Sequence, residues 1–343
     1  RVLFRSGCSM KRFYKKGISL FLILLMSFPL CACKSDDSKA LTTVKLNEVA
    51  HSIFYAPMYV AIEKGYFEDE GIELSLTTGF GADKTMAAVV SGDADVGFMG
   101  TEASIYAYTE GAKDHVINFA QLTQRAGNFV VARENTDSFS YEDMIGKDVL
   151  GGRAGGTPEM VYEYVLRENG VSPSEVKIDQ SIDFGSTAAA FSGGQGDYTI
   201  EFEPSATALE QSGDGYVVAS IGVDSGYLPY TAFCAKESYL KENADLIQHF
   251  TNALQKGMDY VAGHSPEEIA SVIVPQFSET DLKTLTLIVS RYYDQETWNT
   301  DLILREEGYD LMLTILEESG VLSGAAPYED LVNTDFAEKA STL

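Results

Sequence analysis

Four glutamates, Glu102, Glu159, Glu201 and Glu203, stand at loops or helix starts that follow apolar runs, where a side chain can reach over the end of a sheet. Carboxylates so placed have two chemistries open to them. Each can sit at the N-terminus of a helix, where the dipole stabilises an acid whatever else is nearby. Together they can instead accept hydrogen bonds from a bound molecule rich in N–H groups, such as an aminopyrimidine, a flavin or a cationic amine. Helix N-termini alone would invite sulfonate or nitrate, so several carboxylates at the same ends argue for a donor. Tyr55, Tyr59 and Tyr230 offer faces for stacking. Thr101, Gly156 and Thr157 lie at the same helix starts and complete the candidate ligand-binding set.

Other chemistries lack their residue patterns. His51, His115, His249 and His264 have no metal-ligand spacing, and neither His-Glu-x-x-His nor Cys-x-x-Cys occurs. Cys234 has no local sign of activation and reads as buried packing. The glycine-rich run from Gly151 to Gly156 lacks the lysine of a phosphate loop. No nucleophile with its base is visible, so no catalytic residue, metal or cofactor is expected.

The elements that must position these groups are strands alternating with helices. Val44 and Leu46 alternate as in a strand, Pro57 suits a helix's first turn, and Gly65 is a stop. Ile72-Glu73-Leu74-Ser75-Leu76 alternates again. Helix and strand then follow in turn through Lys84–Val90, Ala94–Met99, Gly100–Gly111 and Val116–Phe119. A second copy of this grammar runs from Lys147 to Ala219, with Thr157 as a candidate cap and Pro158 opening a helix. Such patterns predict an α/β fold of two lobes, each an open, mostly parallel sheet flanked by helices. Ligands of such sheets sit beyond the carboxyl ends of the strands, so two facing lobes make a cleft. Ile247, Phe250, Leu254, Met258 and Val261 share one face of a later helix.

The run Tyr55-Ala56-Pro57-Met58-Tyr59-Val60-Ala61-Ile62-Glu63-Lys64-Gly65-Tyr66-Phe67, followed by Glu70-Gly71-Ile72, resembles the opening of the solute-binding proteins of nitrate, sulfonate, taurine and thiamine-precursor ABC importers. The resemblance implies a two-lobed periplasmic-binding-protein fold (type 2) that closes on a small-molecule ligand and presents it, as a monomer, to a membrane-embedded ABC permease. It also implies two crossings between the lobes, near Gln121–Arg133 and Gly226–Phe233, with the C-terminal helices packed on the first lobe. In thiamine-precursor binders an acid after a second-lobe strand meets the pyrimidine, and here Glu201 or Glu203 takes that place. The family's tryptophan-rich version of the site is absent, since the single Trp is Trp298. The ligand expected is therefore a thiamine-precursor pyrimidine or a similar nitrogen heterocycle; sulfonate, taurine and nitrate are the alternatives, and an extracellular enzyme on that fold is another.

Composition agrees with a receptor of this class. Hydrophobic residues make up 45% of the 343 residues and charged ones 22%, as in a folded globular protein. A formal charge of −26 argues against nucleic acid. Met10, the basic residues Lys11, Arg12, Lys15 and Lys16, and the apolar run Ile18–Leu30 read as a secretory leader. Leu30-Cys31-Ala32-Cys33 matches a bacterial lipobox, with Cys33 the lipidated residue and the membrane reached through its acyl chains. The expected organisation is a signal peptide with upstream extension over 1–32 and a lipidated tether over 33–40. Lobe I then begins over 41–125, lobe II spans 126–231, and 232–343 returns to lobe I with the C-terminal helices.

Overall fold

The computed structural model describes residues 40–343 apart from 137, 183 and 323. The leader and Cys33 lie outside the described residues.

The first strand, β1 (Thr42–Glu48), turns Val44, Leu46 and Glu48 inward and leaves Thr43 and Lys45 exposed. The same two-residue period that buries two aliphatics thus buries a carboxylate at the strand's end. Ser52 caps the following 3-10 turn by accepting from the Phe54 N–H, and the chain enters α1 (Ala56–Glu63) with Pro57 in its first turn. Gly65, at φ 71°, precedes α2 (Tyr66–Asp69), which leads into β2 (Ile72–Thr78), parallel to β1. Then come α3 (Ala82–Ser91), β3 (Val96–Met99), α4 (Glu102–Thr109) and β4 (Val116–Thr123). β3 is buried on both faces, which is why it reads as an unbroken apolar run.

The second sheet begins with β5 (Asn128–Ala132) and continues through β6 (Asp148–Leu150), α5 (Thr157–Glu168), β7 (Lys177–Asp179) and α6 (Phe184–Ser192). β8 (Tyr198–Phe202), α7 (Ser205–Ser212), β9 (Tyr216–Ser220) and α8 (Ile221–Asp224) complete it. β10 (Thr231–Lys236) re-enters the first sheet. The remainder is helical: α9 (Glu237–Glu242), α10 (Ala244–Gly263), α11 (Pro266–Ile273), α12 (Leu282–Asp294), α13 (Glu306–Glu318), α14 (Tyr328–Leu331) and α15 (Asp335–Ala340).

The strand orders are β2-β1-β3-β10-β4 and β7-β6-β8-β5-β9, the same pattern twice. Four of the five strands in each sheet run one way; the exceptions are β10 and β5, the strands that arrive from the other sheet. This polarity positions the site. The carboxyl ends of β1, β3, β6 and β8 and the amino ends of β10 and β5 all lie on the edges where the two sheets' chains cross.

Aromatic packing fixes the first sheet against its helices. Phe98 stacks on Phe233 at 4.3 Å, and Phe233 meets Phe250 of α10 at 5.6 Å. Ile247, Phe250, Leu254, Met258 and Val261 form the buried face of α10, each such side chain contributing about 1.5–3 kcal/mol. At Gly257 a Cβ would stand 2.3 Å from the Pro57 carbonyl oxygen, so only glycine lets α10 lie this close to α1. α12 and α13 depart from the expected packing on the first lobe alone. Arg291 of α12 pairs with Glu203 and Glu210 of the second lobe, and Glu318 of α13 pairs with Arg167 of α5 at 2.8 Å.

Candidate functional site

After β3, the chain turns through Gly100-Thr101-Glu102 at the seam between the lobes. Thr101 donates to the Pro229 carbonyl at 2.7 Å, tying this turn to the segment that leads into β10. Its hydroxyl is therefore committed within the first lobe. Glu102, only 6% exposed, folds its carboxyl back over Gly100, where a Cβ would lie 2.0 Å from Oε2. Burial raises its pKa, while the nearby Thr157 hydroxyl and its own backbone N–H pull the other way. Yet neither Glu102 Oε2 nor Thr157 Oγ1 completes a hydrogen bond. Tyr55 and Tyr230 are buried beside Glu102, and burial first, then neighbouring acidic groups, holds both phenols in the neutral form. The Tyr230 hydroxyl also lacks a partner.

Tyr59 points elsewhere. Its hydroxyl donates to Glu48 Oε2 at 2.6 Å, inside the first lobe. Thr78 donates to Glu48 Oε1 at 2.9 Å, and the His51 Nδ1 lies 3.1 Å from the same oxygen. The hydrogen bond to Glu48 raises the His51 pKa, against the opposing effect of burial. This knot closes β1 onto the start of α1 and also takes in Gln276, whose carbonyl meets His51 Nε2 at 2.9 Å.

On the second lobe, α5 starts one residue earlier than a capping threonine requires. Gly156 is the cap, and Thr157 is the first helical residue, 3% exposed, with its hydroxyl free of the helix. Glu159 accepts from the Gly155 N–H at 3.1 Å and from Gln180 Nε2, and burial followed by neighbouring Glu163 lifts its pKa to about 7. Glu201 accepts from Thr199 at 2.6 Å, and its pKa also rises to about 7, with burial outweighing the Thr199 and Thr187 hydrogen bonds. Glu203 is fully engaged: Arg291 and the Thr207 hydroxyl donate to Oε1, and the Thr207 N–H donates to Oε2. It caps α7 and neutralises a cation. Asn128, unmarked in the sequence reading, opens β5; its Nδ2 donates to the Pro158 carbonyl at 3.4 Å and its Oδ1 has no partner.

The structure thus brings Tyr55 and Glu102 of the first lobe, with Tyr230 of the segment entering β10, to Thr157 and Asn128 of the second. Contact across the seam is direct, since the Tyr106 hydroxyl of α4 reaches Met160 Sδ of α5 at 3.7 Å. Glu159 lies near enough to Tyr106 to raise its phenol's pKa after burial and Glu102. Asn128 had a weak signal, a polar residue opening the otherwise apolar run Asn128-Phe129-Val130-Val131-Ala132. Glu48 had a clearer one, two residues beyond Leu46 on the buried face. Cys234 is buried, which pushes its thiol up to about 12.

A cavity of about 870 Å³ lies away from this seam, between the crossing segments and the Trp298–Arg305 loop. Among its polar side chains, Tyr227 donates to Glu296 and Arg305 pairs with Asp301. Among the described residues no group of three or more His, Cys, Asp or Glu side chains could hold a metal ion, and no helix is long and apolar enough to cross a membrane.

The family model described as NMT1/THI5 like matches residues 53–269, from the turn before α1 into α11. A Bacillus subtilis protein described as "Putative binding protein YtlA" is 43% identical over 334 residues, covering 97% of this chain and 99% of its own length. The riboflavin-binding protein RibY of Chloroflexus aurantiacus is 27% identical over 244 residues, covering 69% of this chain and 66% of that protein. The periplasmic aliphatic sulphonate binding protein SsuA from Escherichia coli superposes with a TM-score of 0.69 at 16% identity, over 84% of this chain and 96% of that one. The last likeness is one of fold and carries the two-lobed architecture of periplasmic binding proteins. With the family model spanning most of both lobes and one relative alike from end to end, the chain belongs to the NMT1/THI5-like family.

Proposed function

We propose that this protein is an extracytoplasmic solute receptor of an ABC importer, anchored through Cys33, that captures a small nitrogen heterocycle by closing its lobes. The observation that carries the reading is the seam. Glu102 Oε2 and Tyr230 OH from one lobe, and Asn128 Oδ1 and Thr157 Oγ1 from the other, are buried polar atoms without partners. Leaving such a group unpaired costs about 1–3 kcal/mol, a penalty a structure bears where a ligand is to be met. Tyr55 and Tyr230 beside them make the surroundings aromatic, with their rings packed edge-on against Phe98 and Phe54. The ring compound proposed is a thiamine-precursor pyrimidine, whose exocyclic amino group supplies N–H donors to acceptors of this kind. The binding-protein name of the Bacillus relative supports a receptor rather than a catalyst.

The test is a thermal-shift panel of thiamine-precursor pyrimidines, thiamine, riboflavin, taurine, alkanesulfonates and nitrate, followed by small-angle scattering with the strongest binder. A ligand present at a hundred times its dissociation constant should add about 2.7 kcal/mol of stability. The radius of gyration should fall on binding, because neither lobe alone surrounds a small molecule. Stabilisation by none of the panel, or an unchanged radius with a true ligand, would refute receptor or closure respectively.

A further inference from the structure

We infer that His51 is a proton-operated latch of the first lobe. As an imidazolium it ties the turn before α1 to Glu48 and to the Gln276 carbonyl, and loss of its proton releases that turn. The inference is independent of which solute the seam binds.

The partners of the ring decide its charge. Nδ1 lies 3.1 Å from Glu48 Oε1 and Nε2 lies 2.9 Å from the Gln276 carbonyl oxygen, and a carboxylate and a carbonyl only accept. A neutral imidazole has one N–H and serves one of them, whereas the imidazolium serves both. Glu48 is wholly buried, and among the described residues no Lys or Arg pairs with it, so His51 is its cation. Tyr59 makes the proton count stricter. Its hydroxyl lies 2.6 Å from Glu48 Oε2 and 3.0 Å from His51 Nδ1, with a single proton to give. When His51 is protonated, Tyr59 donates to Glu48, and its oxygen accepts from Nδ1–H and from the Ser52 N–H at 3.4 Å. When His51 is neutral and keeps its N–H on Gln276, Nδ1 becomes an acceptor facing Glu48 Oε1. The Tyr59 proton then satisfies Nδ1 or Glu48 Oε2 and not both, and the buried carboxylate loses its cation.

The titratable groups that face the ring are Glu48 from β1, Tyr59 from α1 and Glu279 from the loop before α12, while Glu63 of α1 accepts from the Gln276 side chain. The hydrogen bond to Glu48, then the one to Gln276 and the charges of Glu48 and Glu279, raise the His51 pKa above its ordinary 6.5, against burial. The next residue carries the effect onward. Ser52 caps the turn Ile53–Tyr55 by accepting from the Phe54 N–H, and the Phe54 ring meets Tyr230 at 5.7 Å and Tyr292 of α12 at 5.1 Å. Trp298 donates to the Phe54 carbonyl at 2.9 Å. Loosening this turn therefore frees Phe54 and Tyr55 together. Below pH 6.5 folded and unfolded chains both hold the proton and the contribution of His51 is whole; it is lost as pH rises through the raised folded value. Acid tightens this wall of the seam and alkali loosens it.

The experiment uses the full chain with no added solute, titrated from acid to alkaline pH. Ring nitrogen and carbon spectra follow the histidines, with His51 identified by its loss in His51→Gln or by elimination with His115→Gln, His249→Gln and His264→Gln. His51 should titrate above 6.5, with Nδ1 and Nε2 both protonated on the acid side, and Glu48→Gln should lower the midpoint. The Phe54 and Tyr55 amides, which donate to Ser52, report on the turn by hydrogen exchange. Corrected for the intrinsic rise of exchange with pH, their protection should fall about tenfold across that midpoint in the wild type and stay level in His51→Gln. The stability margin of wild type over His51→Gln should shrink as pH rises through the same midpoint. A midpoint at or below 6.5, an equal loss of protection in His51→Gln, or a margin that does not change with pH would overturn the inference. Should a variant fail to fold, the wild-type midpoint and exchange profile decide it alone, and no readout involves the receptor reading.

Discussion

Glu201→Gln isolates the electrostatic strain stored in the second lobe. Glu201 is 1% exposed and accepts hydrogen bonds from two threonines, with no cation among the groups that shift it. Its pKa stands at about 7, well above the 4.5 of an unperturbed glutamate. A carboxyl whose pKa is raised on folding favours the protonated form in the native state. Below pH 4.5 both states hold the proton and nothing is lost; as pH rises towards 7 the unfolded state releases it first, and stability falls. Above pH 7 the full penalty applies, about 3 kcal/mol from 1.36 kcal/mol per unit. Glutamine keeps an acceptor for Thr199 and carries no charge. The variant should therefore gain about 1 kcal/mol over wild type at pH 5 and about 3 kcal/mol at pH 8. Denaturant unfolding of both proteins at half-unit steps between pH 5 and 8 reads this difference directly, because every other titrating group cancels. A gain that does not change with pH, or a loss at pH 8, would refute the assignment of burial as the dominant cause.

Three further perturbations test other parts of the fold. Arg291→Met leaves Glu203 buried without its cation and should cost about 3–5 kcal/mol of stability by denaturant unfolding, with the affinity of any ligand changed far less. Gly257→Ala forces a Cβ to within 2.3 Å of the Pro57 carbonyl and should cost about 1–3 kcal/mol by the same measurement, with α1 and α10 pushed apart. Cys33→Ser should block maturation of the leader and abolish acyl-chain incorporation, each buried methylene of which would contribute about 0.8 kcal/mol to anchoring. Normal processing and membrane retention of that variant would remove the lipid anchor from the proposal.

Much of the fold was legible because it depends on periods that one stretch of chain carries by itself. The face of α10 is written at helical spacing from Ile247 to Val261, and the apolar alternation of β1 is visible at Val44 and Leu46. Gly65 and Pro57 mark helix ends through their own backbone limits. The duplicated order of elements likewise needs no distant contact to be read, and it implies two separate sheets that present the same kind of edge.

The site divides differently. Four glutamates look alike in the sequence, each beside a helix start, and only long-range neighbours tell them apart. Glu203 meets Arg291, 88 positions further along, and becomes a cap and an ion pair. Glu102 meets no cation and keeps an unpaired oxygen against the other lobe. Tyr59, paired with Tyr55 by spacing, turns to Glu48 because β1 ends with a buried carboxylate that needs a donor. Asn128 reaches the seam because β5 runs against its neighbours, which puts the strand's first residue rather than its last there. Periodicity determines which face of an element is buried. Which charges, donors and acceptors then face one another depends on strand direction and on partners far away in the chain, and these exist only once the two sheets are folded.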